Sequence, residues 1–160
     1  MATRDYTTRR VGIVEGLVEK LKDINGTGQF LTDVAGNVSP RLKFWDEVEE
    51  FPAIHLNAGS ETREYQGSGY KDRFLSVTLR CYVQDEDAVA ALDELLEDVE
   101  TVLEDNSRLA YKDRTGTTQY TQQITVVSID TDEGVLEPLV VGELQIEVRY
   151  QKIQARTKVH

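Results

Sequence analysis

The sequence predicts an α+β domain: a mainly antiparallel β-sheet with two α-helices packed on one face and long polar loops between elements. Two segments carry apolar residues at helical spacing, and others alternate apolar and polar residues strictly. Their order is helix, short strand, long strand, helix, strand, strand, without the regular βαβ alternation of a parallel sheet. No repeat or linker divides the chain. With three prolines, Pro40, Pro52 and Pro138, hinges have little support, so residues 1–160 read as one domain with flexible ends at 1–7 and 153–160.

The first helix is expected from about Thr8 to Ile24, where Val11, Val14, Leu17, Val18, Leu21 and Ile24 recur on one face and Glu15, Glu19, Lys20 and Lys22 stay outside. Asn25-Gly26 supplies a left-handed residue to end it. A glycine-bearing loop follows, with one short strand expected at Gln29 to Thr32. Phe44, Trp45, Val48 and Phe51 then stand among acids, and Pro52 opens the short strand Ala53-Ile54-His55-Leu56, a place where a missing N–H is tolerated. Residues Asn57 to Arg73 have no apolar period and read as a long polar loop, a type of segment that tends to be functional. Phe74 to Gln84 alternates, with Leu75, Val77, Leu79, Cys81 and Val83 on one face. Asp85 reads as the N-cap of a second helix carrying Val89, Leu92, Leu95, Leu96, Val99, Val102 and Leu103. Its other face is acidic throughout: Glu86, Asp87, Asp93, Glu94, Glu97, Asp98, Glu100 and Glu104. No lysine or arginine relieves that repulsion within the helix. Asn106 to Gln119 reads as a second polar loop, locally basic through Arg108, Lys112 and Arg114. Two strands close the chain, Tyr120 to Ile129 and Leu139 to Lys152, joined by a turn at Asp130 to Gly134.

At 39% hydrophobic and 29% charged, the composition is that of a globular domain, and a chain of this length buries enough surface to fold without disulfides or metal. Cys81 is the sole cysteine, so no internal disulfide or cysteine zinc site exists and a reducing compartment fits. No stretch is long and apolar enough to span a membrane. There are 29 acids against 18 bases, a net charge of −11, which opposes nucleic-acid binding because that draws on cations that displace phosphate counterions. Seven lysines against eleven arginines and the acid excess also suit adaptation to a salty medium.

Catalytic parts are scarce. The two histidines, His55 in a strand and His160 at the last position, cannot build a triad or zinc motif without a terminal residue. His55 is expected on the outer face of the sheet or partly buried. Cys81 lies on an apolar strand face, where a thiol behaves as a small hydrophobe. Gly26-Thr27-Gly28 lacks the third glycine of a dinucleotide fingerprint and follows a helix. Asp130-Thr131-Asp132-Glu133-Gly134 has its glycine one place early for a calcium loop. No catalytic, cofactor or metal residue is nominated, and an enzyme is not expected.

Trp45, Val48, the strand entry Phe51-Pro52-Ala53-Ile54, then Gly59 and Glu61 before the Phe74 to Val83 strand, together with the order of elements over roughly Arg9 to Lys152, resemble the tail terminator proteins of long-tailed, siphovirus-type phages and viruses. The resemblance implies a structural virion protein forming a hexameric ring at the head-proximal end of the tail tube. It would stop tube polymerisation and offer a surface to head-completion or connector proteins. Implied partners are further copies of the chain, the tube protein, a connector protein, and genomic DNA passing through the lumen without specific binding; no membrane is involved. The location would be the virion neck, and the host cytoplasm during assembly. Candidate contacts are Glu61, Arg63, Tyr65, Tyr70, Lys71 and Arg73 of the first polar loop, which mix the tyrosine and arginine that interfaces favour, and Arg108, Lys112 and Arg114 of the second. The acidic second helix would face a basic patch. Rival readings are a neighbouring neck protein, an acidic DNA mimic, and a metal-dependent hydrolase using clustered acids.

Overall fold

The structure is a computed structural model, and it describes residues 8–43, 45–65, 67 and 69–153. The expected flexible ends fall on residues 1–7 and 154–160, outside the described residues, except for Ile153, which closes a strand.

Helix α1 (Arg9–Leu21) begins where Thr8 accepts a hydrogen bond from the Val11 amide at 3.1 Å. It buries Ile13, Val14, Leu17, Val18 and Leu21. The helix ends at Leu21, before the expected Ile24, because the following turns tighten, Asp23 N donating to Lys20 O and Ile24 N to Leu21 O. Gly26, at φ 75°, serves the next turn instead. No strand forms at Gln29 to Thr32: the amides of Leu31 and Thr32 are taken by a side chain of the second helix.

The main sheet has five strands in the order β1-β2-β3-β7-β6: β1 (Val38–Ser39), β2 (Ala53–Tyr65), β3 (Tyr70–Gln84), β6 (Gln123–Thr131) and β7 (Leu139–Ile153). β1 runs parallel to β2, and every other neighbouring pair is antiparallel. Its inner face carries Ile54, Leu56, Leu75, Val77, Leu79, Cys81, Val140, Leu144, Ile146, Val148 and Tyr150, all buried. Covering it are α1, helix α2 (Ala88–Asp105) and a small hairpin of β4 (Ala110–Lys112) and β5 (Thr118–Tyr120). The predicted α+β class, with two helices on one face, is the observed one.

Both polar loops are corrected. Residues 57–73 are chiefly the far halves of β2 and β3, paired from Asn57↔Thr78 to Tyr65↔Lys71, and residues 106–119 contain β4 and most of β5. Alternation failed to reveal the first hairpin because neither of its faces is apolar. A bulge between Ala58 and Glu61 places one extra residue on β2. Up to Ala58 the inward side chains are apolar; past the bulge, Glu61, Arg63 and Tyr65 take the inner positions, opposite Leu75, Arg73 and Lys71. β7 keeps register with β3 as far as Ile153↔Tyr70. The result is a three-stranded arm that continues the sheet past the bulge.

Asp85 does not cap α2 directly. The cap residue is Asp87, and Asp85 Oδ1 accepts from the Asp87 amide in a turn leading into the helix. Val11 and Val89, expected in the apolar stripes, are 46% and 40% exposed. Tyr120 belongs to β5, so the next strand starts only at Gln123. On the outer sheet face, residues 45–52 fold over one end, where Val48, Ala53 and Tyr82 form a second small apolar cluster with Phe51 and Val141.

Candidate assembly surface

At the base of the arm the core becomes polar. The Glu61 side chain is only 4% exposed and accepts from the Tyr150 hydroxyl at 2.5 Å and from Arg63 Nε at 2.9 Å, with Arg73 4.0 Å away. Burial by itself raises the Glu61 carboxyl pKa; the hydrogen bonds from Tyr150 and Arg63 and the Arg73 charge outweigh it and hold the group below its ordinary value. Tyr150 is pushed up to about 12, first by burial and then by the Glu61 carboxylate it serves. The Tyr150 ring meets Tyr111 of β4 edge-on, with centroids 6.2 Å apart. Toward the tip, Lys71 Nζ lies 4.6 Å from the centre of the Tyr65 ring, which is 68% exposed.

The arm's opposite face carries a second ion pair, Arg149 to Asp72 at 2.8 Å, and further along the sheet Arg80 pairs with Glu143 at 3.0 Å. Thus Glu61, Arg63, Tyr65, Lys71 and Arg73 gather on one side of one element. Tyr70 opens β3 at the tip. Arg108, Lys112 and Arg114 stand apart on the β4–β5 segment: Arg108 lies 6.0 Å from the Tyr120 ring, Lys112 donates to Thr118 at 2.6 Å, and Arg114 sits exposed in the hairpin turn. That turn is organised by Asp113, which accepts from Thr115, Thr117 and Gln119. Sequence reading did not single out Tyr150 and Tyr111. Tyr150 continues the inward series Leu144, Ile146, Val148, which was the available signal; nothing in sequence links it to Glu61.

The α2 surface is acidic, with one correction: Asp98 is 1% exposed and points inward. His55 is 5% exposed on the outer sheet face, its Nδ1 2.9 Å from Arg41 O and its ring edge-on to Tyr82. Burial lowers its pKa, keeping the ring neutral. Cys81 is fully buried and its thiol is pushed up to about 12, so it offers no thiolate.

Residues 7–159 match the family described as bacteriophage tail tube terminator proteins. The chain belongs to this family. It is 30% identical over 151 residues to the tail tube terminator protein p142 of Escherichia phage T5, a match covering 89% of this chain and 93% of that protein. In fold it resembles a chain from the virion of a native gene transfer agent particle, with a TM-score of 0.57 and 9% identity over 91% of this chain and all of that one. As a tail terminator family member it is a structural protein of the virion tail and not an enzyme.

Proposed function

We propose that this terminator forms a hexameric ring at the head-proximal end of a siphovirus-type tail tube, stops tube growth there, and presents its other side to a head-completion or connector protein. The single observation that carries the reading is the family match over residues 7–159. A closed ring needs heterologous contacts, one patch meeting a different patch on the neighbour. The arm supplies one such patch in Glu61, Arg63, Tyr65, Tyr70, Lys71 and Arg73, stiffened by pairing on both sides of β3. Arg108, Lys112 and Arg114 supply a second basic stretch, and the acidic face of α2 is their electrostatic complement. The net charge of −11 lets DNA pass through a lumen without adhering. Assembly takes place in the host cytoplasm before the protein is locked into the virion neck.

The test is to add the protein to the polymerising tube protein of its own virus and record tube lengths and ends by negative-stain electron microscopy. Tubes that stop at uniform lengths with a terminal ring are the expected result. Unchecked growth with bare ends, at salt matched to the host, overturns the reading.

A further inference from the structure

A cleft of about 340 Å³ opens beside β1, lined by residues 36–39, Lys43, Glu47, Val48, Glu49, Glu50, Ala53 and His55. Two properties define what fits it. β1 is the outermost strand of the sheet on this side, with its Val38 amide already donating to Gly36 O at 2.8 Å and Pro40 following, so an extended segment can lie beside this edge without adding a full strand. Glu47, Glu49 and Glu50 are exposed around the cleft, opposed by the single cation Lys43. The cleft therefore selects an extended, basic peptide.

The chain itself contains such a peptide. Residues 154–160, Gln-Ala-Arg-Thr-Lys-Val-His, carry Arg156 and Lys158 and no acid, in a protein of net charge −11. In an extended segment these two cations share a side, roughly 7 Å apart. Their own cleft is out of reach. Ile153 is paired with Tyr70 at the arm tip, whereas the cleft flanks Ile54 and His55, which are paired with Cys81 and Arg80. From Tyr70 to Arg80 along β3 is roughly 33 Å at about 3.3 Å per residue. Lys158, five residues past Ile153, reaches at most about 18 Å.

We propose that residues 154–160 of one copy lie along β1 of a second copy, with Arg156 and Lys158 against Glu47, Glu49 and Glu50. The contact rests on the ring reading for its biological place, since it ties the arm of each copy to its neighbour. It is heterologous, because Ile153, from which the donor tail leaves, and the acceptor cleft lie at opposite ends of the sheet.

The experiment titrates a fluorescent peptide of residues 153–160 into full-length protein carrying R156E and K158E, which disables its own tail, and follows anisotropy at low and high salt. Saturable binding is expected, weakening as salt rises. E47K, E49K and E50K, introduced with the tail kept as Arg156 and Lys158 so that it does not complement the reversed cleft, should cost roughly tenfold or more in affinity. A peptide with glutamate at 156 and 158 should then bind this reversed cleft, which also proves the variant folded. No binding to the first protein, or affinity unchanged by cleft reversal, overturns the proposal. Peptide binding needs neither ring nor tube, so its failure is distinguishable from failure of the tube-capping assay.

Discussion

Among the acids of α2, Asp98 differs from its neighbours. It accepts from the Leu31 amide at 3.0 Å, the Thr32 amide at 2.7 Å and the Thr32 hydroxyl at 2.6 Å, so a buried carboxylate holds the loop after α1 onto α2. Replacing it with alanine orphans two backbone donors, and hydrogen bonds to a charged group contribute about 1.5–3 kcal/mol each. D98A should therefore lose about 3–6 kcal/mol by urea denaturation with an unchanged m-value. E94A, on the exposed side of the same helix, should stay within about 0.5 kcal/mol. Asp113 gives a pH signature. The Thr115 hydroxyl first, then the Gln119 amide and the backbone amides of Thr115 and Thr117, hold its carboxyl at about 2 against an ordinary 3.8. Because the folded value is depressed, this stabilisation is complete above 3.8 and disappears as pH falls through about 2. The stability gap between wild type and D113N should close across that window in acid-dependent melts, and a gap independent of pH would contradict it.

At the level of elements, α1 approaches β4 through glycine. A Cβ on Gly12 would stand 2.2 Å from the Lys112 carbonyl oxygen, and one on Gly16 2.8 Å from that of Ala110. G12A improves helix propensity by about 1 kcal/mol yet should be destabilising overall by about 1–3 kcal/mol, because backbone cannot yield as a side chain does. A thermal melt showing stabilisation would mean the α1–β4 contact is looser than described. The arm makes a different prediction. Amides of residues 71–75 in β3 are flanked by strands on both sides, so they should exchange with deuterium far more slowly than those of the β4–β5 turn. Exchange as fast as in that turn would restore the loop reading. These elements also explain what sequence could reveal. The helices and the inner face of β3 were legible because apolar periodicity records a single buried face. The arm was hidden because the inward Glu61 is buried through its contacts with Tyr150, Arg63 and Arg73, and burial by charge pairing leaves no hydrophobic period. The pairing of Glu61 with Tyr150 spans 89 residues and depends on three-strand register, which local pattern does not encode. Asp98 was hidden for a related reason: its helical position marks it as a solvated acid, and only the loop packed against it reverses that.

For the whole molecule, charge is unevenly distributed. α2 carries no lysine or arginine between Ala88 and Asp105, and its acids face solvent apart from Asp98 and the half-buried Glu100. Salt screens such like-charge repulsion over a Debye length of about 10 Å at 0.1 M. The melting temperature should therefore rise between about 0.02 and 0.5 M NaCl, and E94Q/E97Q/E104Q should reduce that rise. A melting temperature that falls with salt would show that the ion pairs Arg149–Asp72 and Arg80–Glu143 dominate over the α2 field.

The bulge at residues 58–61 also bears on which sequence changes the family can tolerate. Side chains in a strand obey a parity rule, and the bulge is where β2 changes parity. Deleting one residue there, Gly59 or Ser60, would restore plain alternation and leave Glu61, Arg63 and Tyr65 on their face, whereas deleting one residue just past the bulge, Thr62, would turn Arg63 and Tyr65 to the opposite face. Removing a residue pair from the tip shortens the arm with parity intact. Length variation among functional relatives should accordingly collect at the tip in even steps or at the bulge as the loss of its one extra residue.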